Sequence, residues 1–139
     1  MNLFVKVDEA FSMTGVLSRA VKHFVPRSGQ IEMALAVTHA IEDGRPLVME
    51  ASTGVGKTFS YLVPALLSGE RILLSTATKA LQDQLYWLEL PLLVDALKLP
   101  VRTALLKGRG SYLCVYRMNA GRQKLLLGDG ISDRTLAEI

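Results

Sequence analysis

An α/β fold is predicted, with a parallel sheet covered by helices on both faces. Two observations carry that prediction. Short apolar runs at residues 46–51, 71–76 and 101–106 alternate with longer segments of helical period. A glycine loop, Ala51-Ser52-Thr53-Gly54-Val55-Gly56-Lys57-Thr58, stands where the first run passes into a helical segment. Strands joined by helices run parallel, and such sheets bind ligands at the carboxyl ends of their strands.

The elements follow in order. Asp8 is placed to cap a first helix whose apolar side is Phe11, Val16, Leu17 and Val21. The run Leu3-Phe4-Val5-Lys6-Val7 before it has strand composition, but the cap is the preferred reading. Pro26 ends that helix or opens the next turn. A second helix starts at Ser28 or Gly29, with Ile31, Leu35, Thr38 and Ile41 on one face and Gly44 just past its end. The helix after the glycine loop contains Pro64, which removes a backbone donor, so a kink or early break is expected there. Gly69 closes it. Thr78 caps a further helix with Leu81, Leu85 and Leu88 on one stripe, Pro91 interrupts it, and residues 92–97 form a short helix. Residues 107–111 form a loop with two glycines. Helices are then expected over residues 112–123 and from Ser132 or Asp133. The three strand ends, including Thr76-Ala77-Thr78 and Lys107-Gly108-Arg109, are expected on one rim.

The glycine loop has the spacing of a phosphate cradle. Successive backbone N–H groups of such a loop point inward around a nucleotide's phosphates. Gly54 and Gly56 suit backbone angles that a side chain forbids. Lys57 reaches the β and γ phosphates, and the Thr58 hydroxyl is a ligand for Mg²⁺. Ala51 stands where the usual pattern has glycine, and it is small enough for the turn. The alternative is a glycine turn with no ligand. ATP with Mg²⁺ is the expected cofactor.

With 139 residues, half of them hydrophobic, the chain suits one modest folded domain. A single cysteine, Cys114, excludes an internal disulfide framework, and a cytoplasmic location is expected. Residues 1–7 lack the basic start and apolar core of a signal peptide. No apolar run is long enough to span a membrane. The formal net charge of +3 is unevenly spread. Residues 96–128 carry seven basic side chains and no acidic one, and the other positions hold nine basic and thirteen acidic residues. A basic stretch neutralises nucleic-acid phosphates, or is a solvated surface. After Thr58 no apolar run ends in an acidic pair, as nucleotide hydrolysis requires. The chain is therefore expected to be the front portion of a longer protein.

Four segments, in order, resemble the iron–sulfur group of superfamily 2 helicases around DinG and XPD. Phe24-Val25-Pro26-Arg27-Ser28-Gly29-Gln30 resembles the group's Q motif, in which Gln30, with Arg27 nearby, would read the adenine edge. A helix-starting glutamine is otherwise solvated. The loop from Ala51 to Thr58 matches the group's A-x-T-G-x-G-K-T form. The segment from Leu74 to Leu85, with Thr76, Lys79 and Gln82, is similar to motif Ia, which contacts the backbone of single-stranded DNA. An ordinary strand-turn-helix is the alternative. Lys107, Arg109, Tyr112 and Cys114 lie in a segment that resembles the one carrying the first cluster cysteine.

The resemblance implies a partial, truncated RecA-like P-loop domain over residues 1–106 and the start of an iron–sulfur insertion over 107–139. It also implies ATP-driven unwinding of duplex DNA, 5′ to 3′, in repair or replication, by the complete protein, with single-stranded or forked DNA as its partner and a monomer expected. A [4Fe–4S] cluster takes four thiolates, so it belongs to the complete protein only. Without the resemblance, Cys114 reads as a small buried residue. Tyr112 and Tyr116 could stack on bases or simply pack. Two other readings remain open: a nucleic-acid-binding fragment without enzyme activity, and another P-loop enzyme such as a phosphotransferase.

Overall fold

The computed structural model describes residues 2–126, and the chain divides into two compact units between Ala104 and Leu105. Expectations for a helix from Ser132 or Asp133 lie outside the described residues.

In the first unit, helix α1 (Leu3–Phe11) is capped by Asn2, whose side-chain oxygen accepts from the Phe4 amide at 2.9 Å. The expected cap, Asp8, lies inside the helix, and Leu3 to Val7 is helical too. The Asn2 cap works because its oxygen satisfies an amide that the first turn leaves without a partner. The apolar side expected from Phe11 to Val21 is split between α1 and a short helix α2 (Val16–Ala20). Gly15 makes the turn between them possible. A Cβ there would lie 2.2 Å from the Glu9 carbonyl oxygen and 2.6 Å from that of Ala10.

Helix α3 (Ser28–Asp43) starts where expected, and Gly44 ends it in the left-handed conformation. Its buried residues are Gln30, Ala34 and Thr38, while Ile31 and Leu35 pack at the margin. Helix α4 (Lys57–Ser68) runs through Pro64 without the expected early break. A proline inside an exposed helix costs about 3 kcal/mol. Here Pro64 is itself fully buried beside Leu62 and Val63. Burying each of those two contributes about 1.5–3 kcal/mol, enough to hold the helix together.

Thr78 caps α5 (Lys79–Gln84), accepting from the Leu81 amide at 3.2 Å. The chain then passes without a break through a π-helical turn (Leu85–Glu89) into α6 (Leu90–Leu97). Pro91 therefore does not interrupt the helix. It sits in the first turn of α6, where its missing N–H matters least. The wider turn also breaks the expected stripe. Leu85 is buried, whereas Leu81 and Leu88 are exposed. The core joins Val7, Ala10, Phe11, Leu17, Ala34, Leu62, Val63, Leu85 and Leu93, so every helix of this unit except α5 enters it.

The predicted sheet is the main departure. Among the described residues no β-strand forms, and residues 46–51, 71–76 and 101–106 are non-helical connections. A strand, unlike a helix, finds its hydrogen bonds only on a neighbouring strand. No backbone hydrogen bond joins these three runs. Their apolar side chains stay exposed, Val48 at 98% and Leu73 at 94%.

In the second unit, a single 3₁₀ turn (Arg109–Ser111) occupies the predicted glycine loop. Helix α7 (Val115–Leu126) starts three residues later than expected. Among the described residues no helix is long and apolar enough to cross a membrane.

Leu62 is 1% exposed at the centre of the core. Leu62→Ala is expected to lower unfolding stability by about 2–5 kcal/mol in a urea titration, while Val25→Ala, on an exposed side chain, changes it by less than about 0.5 kcal/mol.

Candidate nucleotide site

The glycine loop is held by its carbonyl groups. Arg27 Nη1 donates to the Gly54 carbonyl oxygen, and Gln30 Nε2 donates to that of Gly56 at 3.1 Å. Lys57 Nζ donates to the carbonyls of Ala51 at 2.7 Å and Ser52 at 3.1 Å, closing the loop on itself. The N–H groups are treated differently. Among the described residues, no backbone hydrogen bond uses the amides of Val55, Gly56, Lys57 or Thr58. Those of Lys57 and Thr58 belong to the first turn of α4, which leaves them without helical partners and at the positive end of its dipole.

Two glycines make this backbone possible. Gly54 and Gly56 have φ of +82° and +88°, in the left-handed region. Gly56 has a second constraint: a Cβ there would lie 2.2 Å from Gln30 Nε2. Gln30 is only 4% exposed, so it fills the space a side chain would need. Its Nε2 therefore faces the loop. The Gly56 carbonyl draws it inward.

Sequence reasoning missed two residues of this arrangement. Ser60 is fully buried, and its hydroxyl donates to the Gln30 carbonyl at 2.9 Å and lies 3.3 Å from the Gly56 carbonyl. It stands four positions after Gly56, so helical spacing was the available signal. Tyr61 is the second. The Thr58 hydroxyl is a neighbour of its phenol. Burial pushes the Tyr61 phenol up, the Thr58 contact opposes this, and the negative charge of Glu89 adds to the rise. A run of rings anchors the start of α3 to the start of α4: Phe24 stacks on Phe59 with centroids 6.1 Å apart, and Phe11 tilts against Phe24 at 6.2 Å.

The remaining candidates lie elsewhere in the chain. Thr76 Oγ1 donates to the Thr78 carbonyl at 3.2 Å, at the exposed entry to α5 that Lys79 and Gln82 follow. In the second unit the Lys107 amide donates to the Tyr112 phenol oxygen at 2.9 Å, which folds residues 107–112 into a tight loop bearing the exposed Arg109. Cys114 is exposed, contrary to the buried reading. One thiolate cannot hold a four-thiolate cluster, and no group of three or more metal-ligating side chains gathers among the described residues.

Free amides at a helix start, left-handed glycines and a lysine beside them define a P-loop, a site fitted to a polyphosphate. Residues 32–107 match the DEAD/DEAH box helicase family model. The chain belongs to that family, whose ATP-binding domain has the RecA-like P-loop fold. It is 47% identical over 133 residues to the ATP-dependent DNA helicase YoaA of Escherichia coli (strain K12), covering 96% of this chain and 20% of that protein. The ATP-dependent DNA helicase YoaA of Haemophilus influenzae is 47% identical over 89% of this chain and 19% of its own length. The ATP-dependent helicase DinG of Mycobacterium tuberculosis (strain ATCC 25618 / H37Rv) is 50% identical over 67% of this chain and 15% of its own. The chain thus spans about a fifth or less of the curated relatives it matches. No solved structure matches it.

Gly56→Ala is expected to destabilise the chain by about 1–2 kcal/mol through the left-handed backbone alone, and by more because Gln30 must move. In a double-mutant cycle, Gln30→Ala should remove part of that extra penalty. Additive effects would separate Gln30 from the loop.

Proposed function

We propose that this chain is the nucleotide-binding part of an ATP-dependent DNA helicase. The observation that carries the reading is the loop whose carbonyls are held by side chains while its amides stay unengaged. In this reading the amides from Thr53 to Thr58 take the β and γ phosphates, and Lys57 adds its charge. An ammonium has three donors, of which two are used within the loop. Thr58 supplies an oxygen to Mg²⁺. Arg27 and Gln30, already bonded to the loop, connect the adenine side of the site to its phosphate side. When bound, ATP supplies the phosphoanhydride whose cleavage drives the motor. This chain's residues bind and orient it.

In the complete protein the exposed runs at 46–51, 71–76 and 101–106 become strands of a RecA-like parallel sheet. Residues 1–106 belong to the first motor domain, and 107–139 begin an insertion to which Cys114 offers one thiolate. Thr76, Lys79, Gln82, Lys107, Arg109 and Tyr112 contact single-stranded or forked DNA. In the complete protein ATP closes a cleft between two motor domains and hydrolysis opens it, moving the strand 5′ to 3′. By itself the chain binds nucleotide without turning it over, because the carboxylates that complete the Mg²⁺ shell and position water are not among its residues after Thr58.

Lys57→Ala is expected to weaken ATP binding by about tenfold to a hundredfold, the loss of a charge-assisted contact of about 1.5–3 kcal/mol, measured by calorimetry or a fluorescent analogue. Equal affinity for wild type and variant would remove the loop assignment. The acid-free basic stretch at 96–128 favours a second reading, a nucleic-acid-binding fragment with no enzymatic role. Oligothymidylate affinity is expected to fall with salt, with a log–log slope of about −0.7 per phosphate engaged. Arg109→Ala should reduce that slope by about one contact. If ATP leaves this affinity unchanged in the complete protein too, the fragment reading replaces the motor one.

A further inference from the structure

The buried residues of α4 are apolar with one exception, Ser60. Alanine would fill that position with better helix propensity and no polar atom to satisfy. Hydroxyls on helices ordinarily bond back to a carbonyl three or four residues earlier on their own helix. Thr38 does so to Ala34 at 2.8 Å, and Ser68 to Ala65 at 2.7 Å. Ser60 departs from this. Its hydroxyl is 3.3 Å from the Gly56 carbonyl four residues back, but 2.9 Å from the Gln30 carbonyl on α3. A hydroxyl has one proton, so the nearer acceptor, on the other helix, takes it.

The turn that Ser60 grips is the one that reaches the loop. The Gln30 amide donates to the Arg27 carbonyl at 3.0 Å, so both residues belong to the start of α3. From there Arg27 Nη1 donates to the Gly54 carbonyl, and Gln30 Nε2 donates to the Gly56 carbonyl at 3.1 Å. The Gly56 carbonyl also receives the Ser60 amide at 3.4 Å, a long bond for a helix, so the Gln30 side chain is its closer donor. This junction has no slack, since a Cβ on Gly56 would meet Gln30 Nε2 at 2.2 Å. The peptide from Gly56 to Lys57 is trans, so its carbonyl and the Lys57 N–H point in opposite directions. Holding the carbonyl toward α3 turns that N–H to the other side.

We propose that Ser60 is a positioning residue for the phosphate loop: by pinning the Gln30 carbonyl it holds the start of α3 where Gln30 clamps the Gly56 carbonyl, and so aims the Lys57 amide at an incoming phosphate. This deepens the P-loop reading above and rests on it. Ser60 touches no ligand itself. It acts through Gln30 and Gly56.

The test is calorimetric titration of this chain with inorganic triphosphate, which has no base for Gln30 to contact. Ser60→Ala keeps the helix and removes one oxygen, and its affinity is expected to fall about fivefold, the scale of one hydrogen bond. Gln30→Ala weakens binding by a similar factor. The double variant is no weaker than the worse single one, because both act through one carbonyl. Should Ser60→Ala not fold, Ser60→Cys, of similar shape with only a weak S–H donor, gives the same pattern with a smaller loss. A Ser60→Ala chain that melts earlier yet binds triphosphate like wild type, beside a weakened Lys57→Ala chain, overturns the positioning role and leaves the P-loop standing. Losses that multiply in the double variant overturn it as well. If Lys57→Ala itself binds like wild type, the P-loop reading fails and the role of Ser60 falls with it.

Discussion

Everything at the site depends on which backbone groups of a short loop are already occupied. A glycine turn has carbonyls and amides in equal number, and both require partners or solvent. Here side-chain donors take the carbonyls: Arg27 holds Gly54, Gln30 holds Gly56, and Lys57 holds Ala51 and Ser52. The amides at the start of α4 keep their donors, with the helix dipole behind them. A loop tied through its oxygens is left positive on its nitrogens. That asymmetry suits an otherwise neutral backbone to an anion.

Packing maintains the asymmetry. The donors Arg27 and Gln30 are useful only if the start of α3 lies beside the loop. The Phe11, Phe24 and Phe59 rings place it there, and the Ser60 hydroxyl binds the Gln30 carbonyl from below. The same helix that begins with the unengaged amides continues into the core through Leu62, Val63 and Pro64. Core and site are therefore two ends of one element.

The parts legible in the sequence were those determined by neighbours along the chain. Gly44 and Gly69 end their helices in the left-handed conformation, Thr78 caps α5, and α3 begins at Ser28, all as local rules require. The glycine loop and its lysine were equally plain. What failed depended on distant partners. The three apolar runs at 46–51, 71–76 and 101–106 have strand composition, but a strand needs a neighbour, and none forms among the described residues. Pro64 should break a solitary helix, yet burial outweighs that tendency. Asp8 suited a cap, but Asn2 lay earlier and took the role. Ser60 and Tyr61 carry no motif, and only their spacing from Gly56 and Thr58 connects them to the site.

The most direct measurement follows the loop amides themselves. Backbone amide resonances recorded with increasing inorganic triphosphate should move together for Gly54, Val55, Gly56, Lys57 and Thr58, with much smaller changes at Thr78 and Leu81, the cap of α5. Uniform small shifts across the chain, or movement at α5 without movement in the loop, would show that these nitrogens do not receive the anion.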